Sequence, residues 1–209
     1  MAATLPALMN SVKMIHTIAR YYNTTERMTT LFTKITNQMI LNCKESILDG
    51  QEKDEIWDKD PLVLIANLEA CLRLNEAYQE QYRVTKDKLL TLPKGKQFDF
   101  SETQIFGRFD LFCRRVVKLI DMFSTIHQFR SLSMHRFDGM ERLIQSFNSI
   151  LDEFRNKRHD LLDFHQNRFD RDYVEFNAEL KGSIGEGPNH SNHFEPFEPF
   201  EFFQNRNFP

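Results

Sequence analysis

The sequence predicts an all-α fold: one or more elongated antiparallel bundles of long amphipathic helices, followed by a disordered C-terminal tail. Apolar residues recur at steps of three and four along residues 5–181, a spacing that keeps them on one face of a helix. Runs of alternating β-branched residues, which would indicate strands, are absent. The clearest pattern is the apolar stripe of Ile105, Phe109, Phe112, Val116, Leu119, Phe123 and Ile126.

The first two predicted helices cover residues 5–22 and 24–48. Apolar residues at helical spacing define both of them. The sequence Asn23-Thr24-Thr25-Glu26 resembles a capping box, in which the Asn23 side chain accepts a backbone N–H and Glu26 bonds back to the cap. Gly50 suits the left-handed turn that ends many helices, so the second helix is predicted to stop just before it.

The third predicted helix covers residues 61–91. Asp60 is a suitable N-cap, and Pro61 fits the first helical position because its missing N–H would have no partner there. Asn75 is the one polar residue on the apolar face. It either fixes the packing register with a neighbouring helix or lies at the rim of that face.

The last two predicted helices cover residues 102–130 and 138–181. The first carries the apolar stripe, and the intervening positions are mixed and hold the charges, Arg115 among them. The second presents Met140, Leu143, Phe147, Ile150 and Phe154, and its face shifts slightly toward residue 181. These five residues and the seven of the stripe are the predicted packing or interaction face.

The C-terminal segment 182–209 is predicted to be a disordered tail rich in Phe, Glu and Pro. Pro196 and Pro199 are three residues apart, a spacing that is incompatible with a helix. The alternative is that the phenylalanines of this tail dock on a partner.

Composition argues against several classes of partner. The formal net charge of −3 favours neither nucleic acid nor an anionic membrane surface. No window approaches the roughly 18 apolar residues that a membrane span needs, and the N-terminus lacks a signal-peptide pattern. Cys43, Cys71 and Cys113 have neither disulfide-framework nor zinc-knuckle spacing, which indicates reduced, partly buried thiols in the cytoplasm.

The sequence motifs predict no catalytic residue, no cofactor and no metal, so the chain is not expected to be an enzyme. Gly95 lacks the second glycine and the Ser or Thr of a phosphate-binding loop. His159 and Asp163 are four residues apart, with Asp160 and His165 nearby, but a helix would bring at most two of them to one face, too few for zinc. A solvated charged ridge is the competing interpretation.

Eight segments together resemble the N-terminal tail (stem) region of axonemal dynein heavy chains, most like the outer-arm type. They are LPALMN at 5–10, RYYNTTERM at 20–28, TNQMI at 36–40, IWDKDP at 56–61, CLRLN at 71–75, FGRF at 106–109, NKRHDLLD at 156–163 and FDRDYVEF at 169–176. The resemblance covers about residues 5–181.

The resemblance implies a series of helical bundles that anchors the motor and contributes to dynein assembly in microtubule-based ciliary movement. The implied partners are dynein intermediate and light chains and other heavy chains. The implied locations are the cytoplasm, the cytoskeleton and the axoneme of the cilium. The family's ATPase ring, linker and stalk have no counterpart here, so we expect a fragment of a much longer chain. The alternative is a stand-alone helical adaptor or scaffold unrelated to motors.

Overall fold

A computed structural model describes residues 2–22, 24–50, 52–91, 97–132, 140–165 and 167–185. All regular secondary structure in these ranges is helical, which confirms the predicted fold class. The predicted tail from residue 186 onward lies outside the described residues. The helices are α1 (Leu5–Ile18), α2 (Thr25–Leu48), α3 (Pro61–Leu90), α4 (Glu102–Leu132), α5 (Met140–Asn156) and α6 (Asn167–Gly185), with 3₁₀ helices at Ala2–Thr4, Arg20–Tyr22 and Lys53–Asp58.

Local capping explains where α2 and α3 begin. The Asp60 carboxylate accepts the N–H groups of Leu62 and Val63 at 2.8 and 3.2 Å, so α3 starts at Pro61 as predicted. Thr24 caps α2 by accepting the Arg27 N–H. Asn23, the predicted cap, lies outside the described residues.

The first helix is shorter than the predicted 5–22. It ends at Ile18 because Ala19 leaves the helical region with ψ 113°, and residues 20–22 form a separate 3₁₀ turn. The turn is held in place by Arg27, whose guanidinium donates to the carbonyl of Tyr21 at 2.9 Å. At the end of α2, Asp49 and Gly50 both have positive φ, 51° and 75°, which is the predicted left-handed stop.

Helices α3 and α4 run antiparallel, and the Phe106 ring of α4 contacts those of Tyr78 and Tyr82 of α3, at 5.0 and 5.4 Å between centroids. Asn75 of α3 donates to the Asp110 carboxylate of α4 at 2.8 Å, and further along Arg83 pairs with Glu102 at 2.9 Å. Asn75 is only 3% exposed, so it contacts the facing helix across the core and does not lie at the rim. Its hydrogen bond sets the register of this pair.

Helices α1 and α2 complete the first half of the core. α2 runs parallel to α4, with the buried Thr36 hydroxyl donating to the Ile105 carbonyl at 2.7 Å. His16 of α1 contacts Phe98 and Phe100 edge-to-face, at 5.4 and 5.8 Å between ring centroids. These two rings belong to the segment that enters α4.

The second half of α4 packs against α5 and α6. Lys118 of α4 donates to Asp170 of α6 at 2.7 Å, and the Tyr173 hydroxyl donates to Asp121, so α6 runs parallel to α4. Helix α5 runs back against α6, since the Phe154 ring contacts those of Phe169 and Phe176, at 5.8 and 4.9 Å between centroids.

The predicted single helix over 138–181 is wrong, because residues 157–165 leave the helical path. Arg158 has a positive φ of 49°. The carboxylates of Asp160 and Asp163 then accept the backbone N–H groups of Leu162 and His165, at 3.1 and 3.0 Å, which stabilises a non-helical turn. The turn lets the apolar faces of α5 and α6 bury each other. α6 also continues through Gly182 to Gly185, past the predicted boundary.

Arg115 of α4 binds this turn through hydrogen bonds. Sequence spacing placed it among the charged intervening positions, yet it is 3% exposed. Its guanidinium donates to the carbonyls of Leu161 and Asp163 at 3.4 and 2.7 Å and lies 3.6 Å from the Asp170 carboxylate. It also stacks over the Phe169 ring, 4.0 Å from the centroid. One side chain therefore joins α4, the turn and α6.

Replacing Phe112 or Phe123 with Asp is expected to lower the free energy of unfolding by more than about 3 kcal/mol, because each change buries an unpaired carboxylate. The matched control is Leu111→Asp, since Leu111 adjoins Phe112 but is 48% exposed. That control should cost less than about 1 kcal/mol, mostly in helix propensity. Circular dichroism during urea and thermal unfolding measures both; equal losses would contradict the burial.

Replacing Arg115 with Met is expected to cost about 2–4 kcal/mol, because the carbonyls of Leu161 and Asp163 lose a charged donor. Arg114→Met is the control; this neighbouring side chain is exposed and should cost less than about 0.5 kcal/mol. Hydrogen exchange should also accelerate in residues 157–165 of the Arg115 variant alone. Unchanged exchange there would contradict the role of Arg115 in binding the turn.

Candidate interaction surfaces

The structure places the predicted face inside the chain. All seven residues of the stripe on α4 are at most 3% exposed. On α5, Phe147 and Phe154 are buried, while Leu143 and Ile150 are partly buried against the core. Met140 begins α5, and its side chain lies outside the described residues. These side chains contact other helices of the same chain.

Helix α4 also buries residues that lie outside the predicted stripe. They are Phe106, Cys113, Arg115, Met122 and Phe129. A helix packed on several sides buries more than one stripe, and a single-face template misses the additional positions. The sequence contains a heptad spacing that indicates these positions. Phe106 and Cys113 are seven residues apart, and so are successive members of the set Arg115, Met122 and Phe129.

Two other buried aromatic residues, Phe98 and Phe100, were not predicted, because they precede α4 in a segment without helical periodicity. The Tyr82 hydroxyl binds this segment through two hydrogen bonds. It donates to the Phe100 carbonyl at 3.1 Å and accepts the Phe100 N–H at 2.8 Å. Burial raises the pKa of the Tyr82 hydroxyl. It therefore stays protonated and can serve both bonds.

Apolar side chains available to a partner lie elsewhere on the surface. Met14 and Ile18 are one turn apart on α1, 57% and 71% exposed, and Tyr21 follows in the 3₁₀ turn. The Arg27 guanidinium stacks on the Tyr21 ring, 4.0 Å from its centroid. The remaining exposed large apolar residues in the described ranges are Leu41, Leu62, Val63, Leu90, Leu111 and Val174.

A cleft of about 220 Å³ opens beside Trp57. The Trp57 ring packs against Phe123 and Phe154, at centroid distances of 5.5 and 6.2 Å. On one side of the cleft Arg155 pairs with Asp58 at 3.1 Å. The lining residues are Trp57, Pro61, Phe123, Ile126, Arg130, Asn148, Leu151, Asp152 and Arg155.

A second, more apolar groove of about 250 Å³ lies between α1, α2 and α3. Leu8 and Ile35 are partly buried against the core, whereas Leu5 and Met39 are fully part of it. The groove is therefore a shallow extension of the core. Its lining residues are Thr4, Leu5, Leu8, Ile35, Gln38, Met39, Asn42 and Leu74.

The three cysteines are far apart in sequence, and the structure brings them into one buried layer of α2, α3 and α4. All three are free thiols. A hydrogen bond between Cys43 and Cys71 lowers the pKa of Cys43 and raises that of Cys71, and burial raises the pKa of Cys113. A reactive thiol needs both access and thiolate character, so this arrangement favours packing over covalent chemistry.

His159 and Asp163, the weak metal candidate, do not converge. A spacing of four residues would place them on one face of a helix, but residues 157–165 are not helical. His159 Nε2 lies 2.9 Å from Asp172 Oδ2, while Asp163 accepts the backbone N–H of His165. Burial lowers the pKa of His159, so the ring packs in its neutral form. Within the described ranges, no three metal-ligating side chains come together.

The helices in the part of the chain that the structure describes are also too short or too polar to cross a lipid bilayer.

Comparison with known proteins agrees with the resemblance found in the sequence. The sequence profile of a family described as dynein heavy chain, N-terminal region 1, matches residues 1–183. The chain is 49% identical over 178 residues to the dynein gamma chain of the flagellar outer arm of Chlamydomonas reinhardtii, a match that covers 85% of this chain and 4% of that protein.

Two mammalian relatives match over the same region. Identity is 38% over 176 residues to dynein axonemal heavy chain 5 of Mus musculus, covering 84% of this chain and 4% of that protein. It is 36% over 183 residues to dynein axonemal heavy chain 8 of Homo sapiens, covering 87% and 4%. The chain thus spans only a small part of the length of these relatives. With almost all of its folded helices inside the matched region, the chain belongs to the dynein heavy chain family and corresponds to N-terminal region 1 of those proteins.

Proposed function

We propose that this chain is a structural and assembly segment of a dynein heavy chain tail, which contributes to complex assembly and to anchoring on the axoneme. The observation that carries the proposal is the match of residues 1–183 to the N-terminal region of heavy chains named as axonemal or flagellar. The buried helical architecture supports it, because such a fold supplies rigid surfaces.

The twelve residues of the predicted face serve to hold the helices together. The burial of the seven stripe residues and of Phe147 and Phe154 supports this role, since a side chain already covered by its own fold has little surface left for a partner. Partners instead contact exposed side chains, and Met14, Ile18 and Tyr21 supply three of these in α1 and the turn that follows it. Aromatic and apolar anchors of this kind dominate the energetics of protein interfaces.

The partners that we propose are dynein intermediate and light chains and other heavy chains, in the cytoplasm and on the ciliary axoneme. The names of the relatives, which place them in flagellar and axonemal dyneins, support this. The segment itself performs no catalysis in this proposal. The inaccessible thiols and the neutral, packed His159 are consistent with that role.

The assembly role predicts that the immobilised chain retains dynein intermediate chain from ciliary extract, as detected with a specific antibody. Ile18→Asp should reduce this retention without changing the unfolding transition, because Ile18 is 71% exposed. Val174→Asp, which alters a comparably exposed apolar residue on α6, is the control and should retain normal amounts. Failure of the unaltered chain to retain any dynein subunit would contradict the proposed function.

A further inference from the structure

Large apolar side chains lie on the exposed side of α1 and in the turn that follows it. Met14 and Ile18 are one helical turn apart and are 57% and 71% exposed. Tyr21 is 61% exposed and follows Ile18 by three residues, which span at most about 10 Å. We call these three residues the α1 strip. Their exposure shows that no element in the described part of the chain covers it.

The hydroxyl groups on the same side of α1 are already satisfied within the helix. Ser11 donates to the Ala7 carbonyl at 3.0 Å, and Thr17 donates to the Lys13 carbonyl at 2.8 Å. Both hydroxyl residues are three positions from Met14, so they are its neighbours on the helix surface. A partner that covered this side would leave neither hydroxyl without a hydrogen bond, which favours an apolar contact.

Basic side chains accompany the α1 strip. Lys13 adjoins Met14, Arg20 adjoins Tyr21, and the Arg27 guanidinium stacks on the Tyr21 ring, 4.0 Å from its centroid. The first 25 residues contain no Asp or Glu, although the whole chain has a formal net charge of −3. The local charge at the strip is therefore opposite in sign to the charge of the chain.

The two helices beside α1 do not reverse this balance. α2 carries three basic and two acidic residues, and residues 74–90 of α3 carry three of each. Lys13 and Arg20 make no ion pair with any residue in the described ranges. Their charges are therefore available to a carboxylate on a partner.

The end of the α1 strip is ordered before any partner binds. The Arg27 guanidinium donates to the Tyr21 carbonyl at 2.9 Å while it stacks on the ring of the same residue. Tyr22 contacts that ring edge-to-face, at 5.1 Å between centroids. Tyr and Arg are among the residue types that dominate binding energy at protein interfaces. Because these side chains already contact one another, less conformational entropy is lost when a partner binds.

We propose that the α1 strip binds an amphipathic helix of another protein subunit, whose apolar face is flanked by glutamate or aspartate. Apolar residues of that helix, at steps of three and four, pack on the strip. Its carboxylates face Lys13, Arg20 and Arg27. This proposal rests on the proposed function, because it names the chemistry of the partner that the exposed surface of the assembly segment takes.

The same observations disfavour two other occupants. A second copy of this chain would bring the same basic side chains against each other, which is repulsive. A lipid surface needs a broad apolar face that enters the headgroup region. α1 instead buries Leu5, Met9 and Val12 inside the bundle, which leaves few large apolar side chains for insertion.

A pair of synthetic peptides tests the partner's chemistry on the full chain. Both are amphipathic helices of about 18 residues with leucine at identical positions, and the flanking positions hold glutamate in one and lysine in the other. Fluorescence anisotropy should show about tenfold tighter binding of the glutamate peptide at low salt, and added salt should reduce the difference. The net charge of −3 alone predicts the opposite preference. Equal affinities, or tighter binding of the lysine peptide, would overturn the proposal.

Charge reversal locates the binding surface. Lys13→Glu combined with Arg20→Glu should abolish the preference for the glutamate peptide. The matched control combines Arg142→Glu with Arg171→Glu, which makes the same change in net charge at exposed positions on α5 and α6. Circular dichroism should show the same unfolding transition for both variants. Loss of the preference in the control as well would contradict binding at the α1 strip.

Two readouts distinguish the acidic-helix partner from the broader assembly role, because the peptides contain no dynein sequence. Retention of dynein intermediate chain by a chain without the peptide preference would refute the acidic-helix partner alone. The peptide preference in a chain that retains no dynein subunit would support the acidic helix and contradict the assembly role.

The remaining occupants have results of their own. Vesicles of phosphatidylcholine and phosphatidylserine that bind the unaltered chain but not the Lys13→Glu and Arg20→Glu variant, without a peptide preference, would identify a lipid surface. A dimer in sedimentation equilibrium that Ile18→Asp converts to monomer, again without a peptide preference, would identify a second copy. Either result would refute the acidic-helix partner.

Discussion

The whole structure depends on the burial of α4 from several sides. This helix of 31 residues buries all seven residues of the apolar stripe and further positions on its other sides, among them Phe106, Cys113 and Arg115. A rod with so much apolar surface is unstable in water unless other elements cover it, and each fully buried Phe or Leu contributes roughly 1.5–3 kcal/mol to that coverage. The remaining helices are arranged around this requirement. Helices α2 and α3 pack along α4, and α5 and α6 add contacts to its second half through Phe147, Asp170 and Tyr173.

Polar groups inside this apolar framework decide which arrangement forms. Apolar contacts are non-directional and would tolerate a shift of one helix along another by a turn. Asn75 contacts Asp110 across the α3–α4 interface, and Arg115 contacts two carbonyls of the turn after α5. A shifted register would leave these buried groups without hydrogen bonds, at a cost of about 1–3 kcal/mol for each. A small number of polar side chains thus selects one packing among several.

Membership of the dynein heavy chain family is consistent with a fold of this kind. The three thiols are buried, and His159 packs beside Phe154 and Phe169, so these titratable groups are engaged in packing. What the surface offers is a set of exposed apolar side chains and a cleft beside the only tryptophan. Those features suit binding, and the burial of the stripe separates the residues that maintain the fold from those available to partners.

Periodicity and capping residues were sufficient to predict the helical class, the starts of α2, α3 and α4, and the apolar stripe, because these depend on interactions within about one helical turn. The family could also be recognised from local segments. The break between α5 and α6 could not be predicted in this way, since its two apolar faces look like one continuous face until they fold against each other. Arg115 likewise looks like a solvated charge until the turn supplies carbonyls to it, and the cysteines meet only when three helices assemble. These features arise from contacts between residues distant in sequence, which the spacing along one helix does not contain.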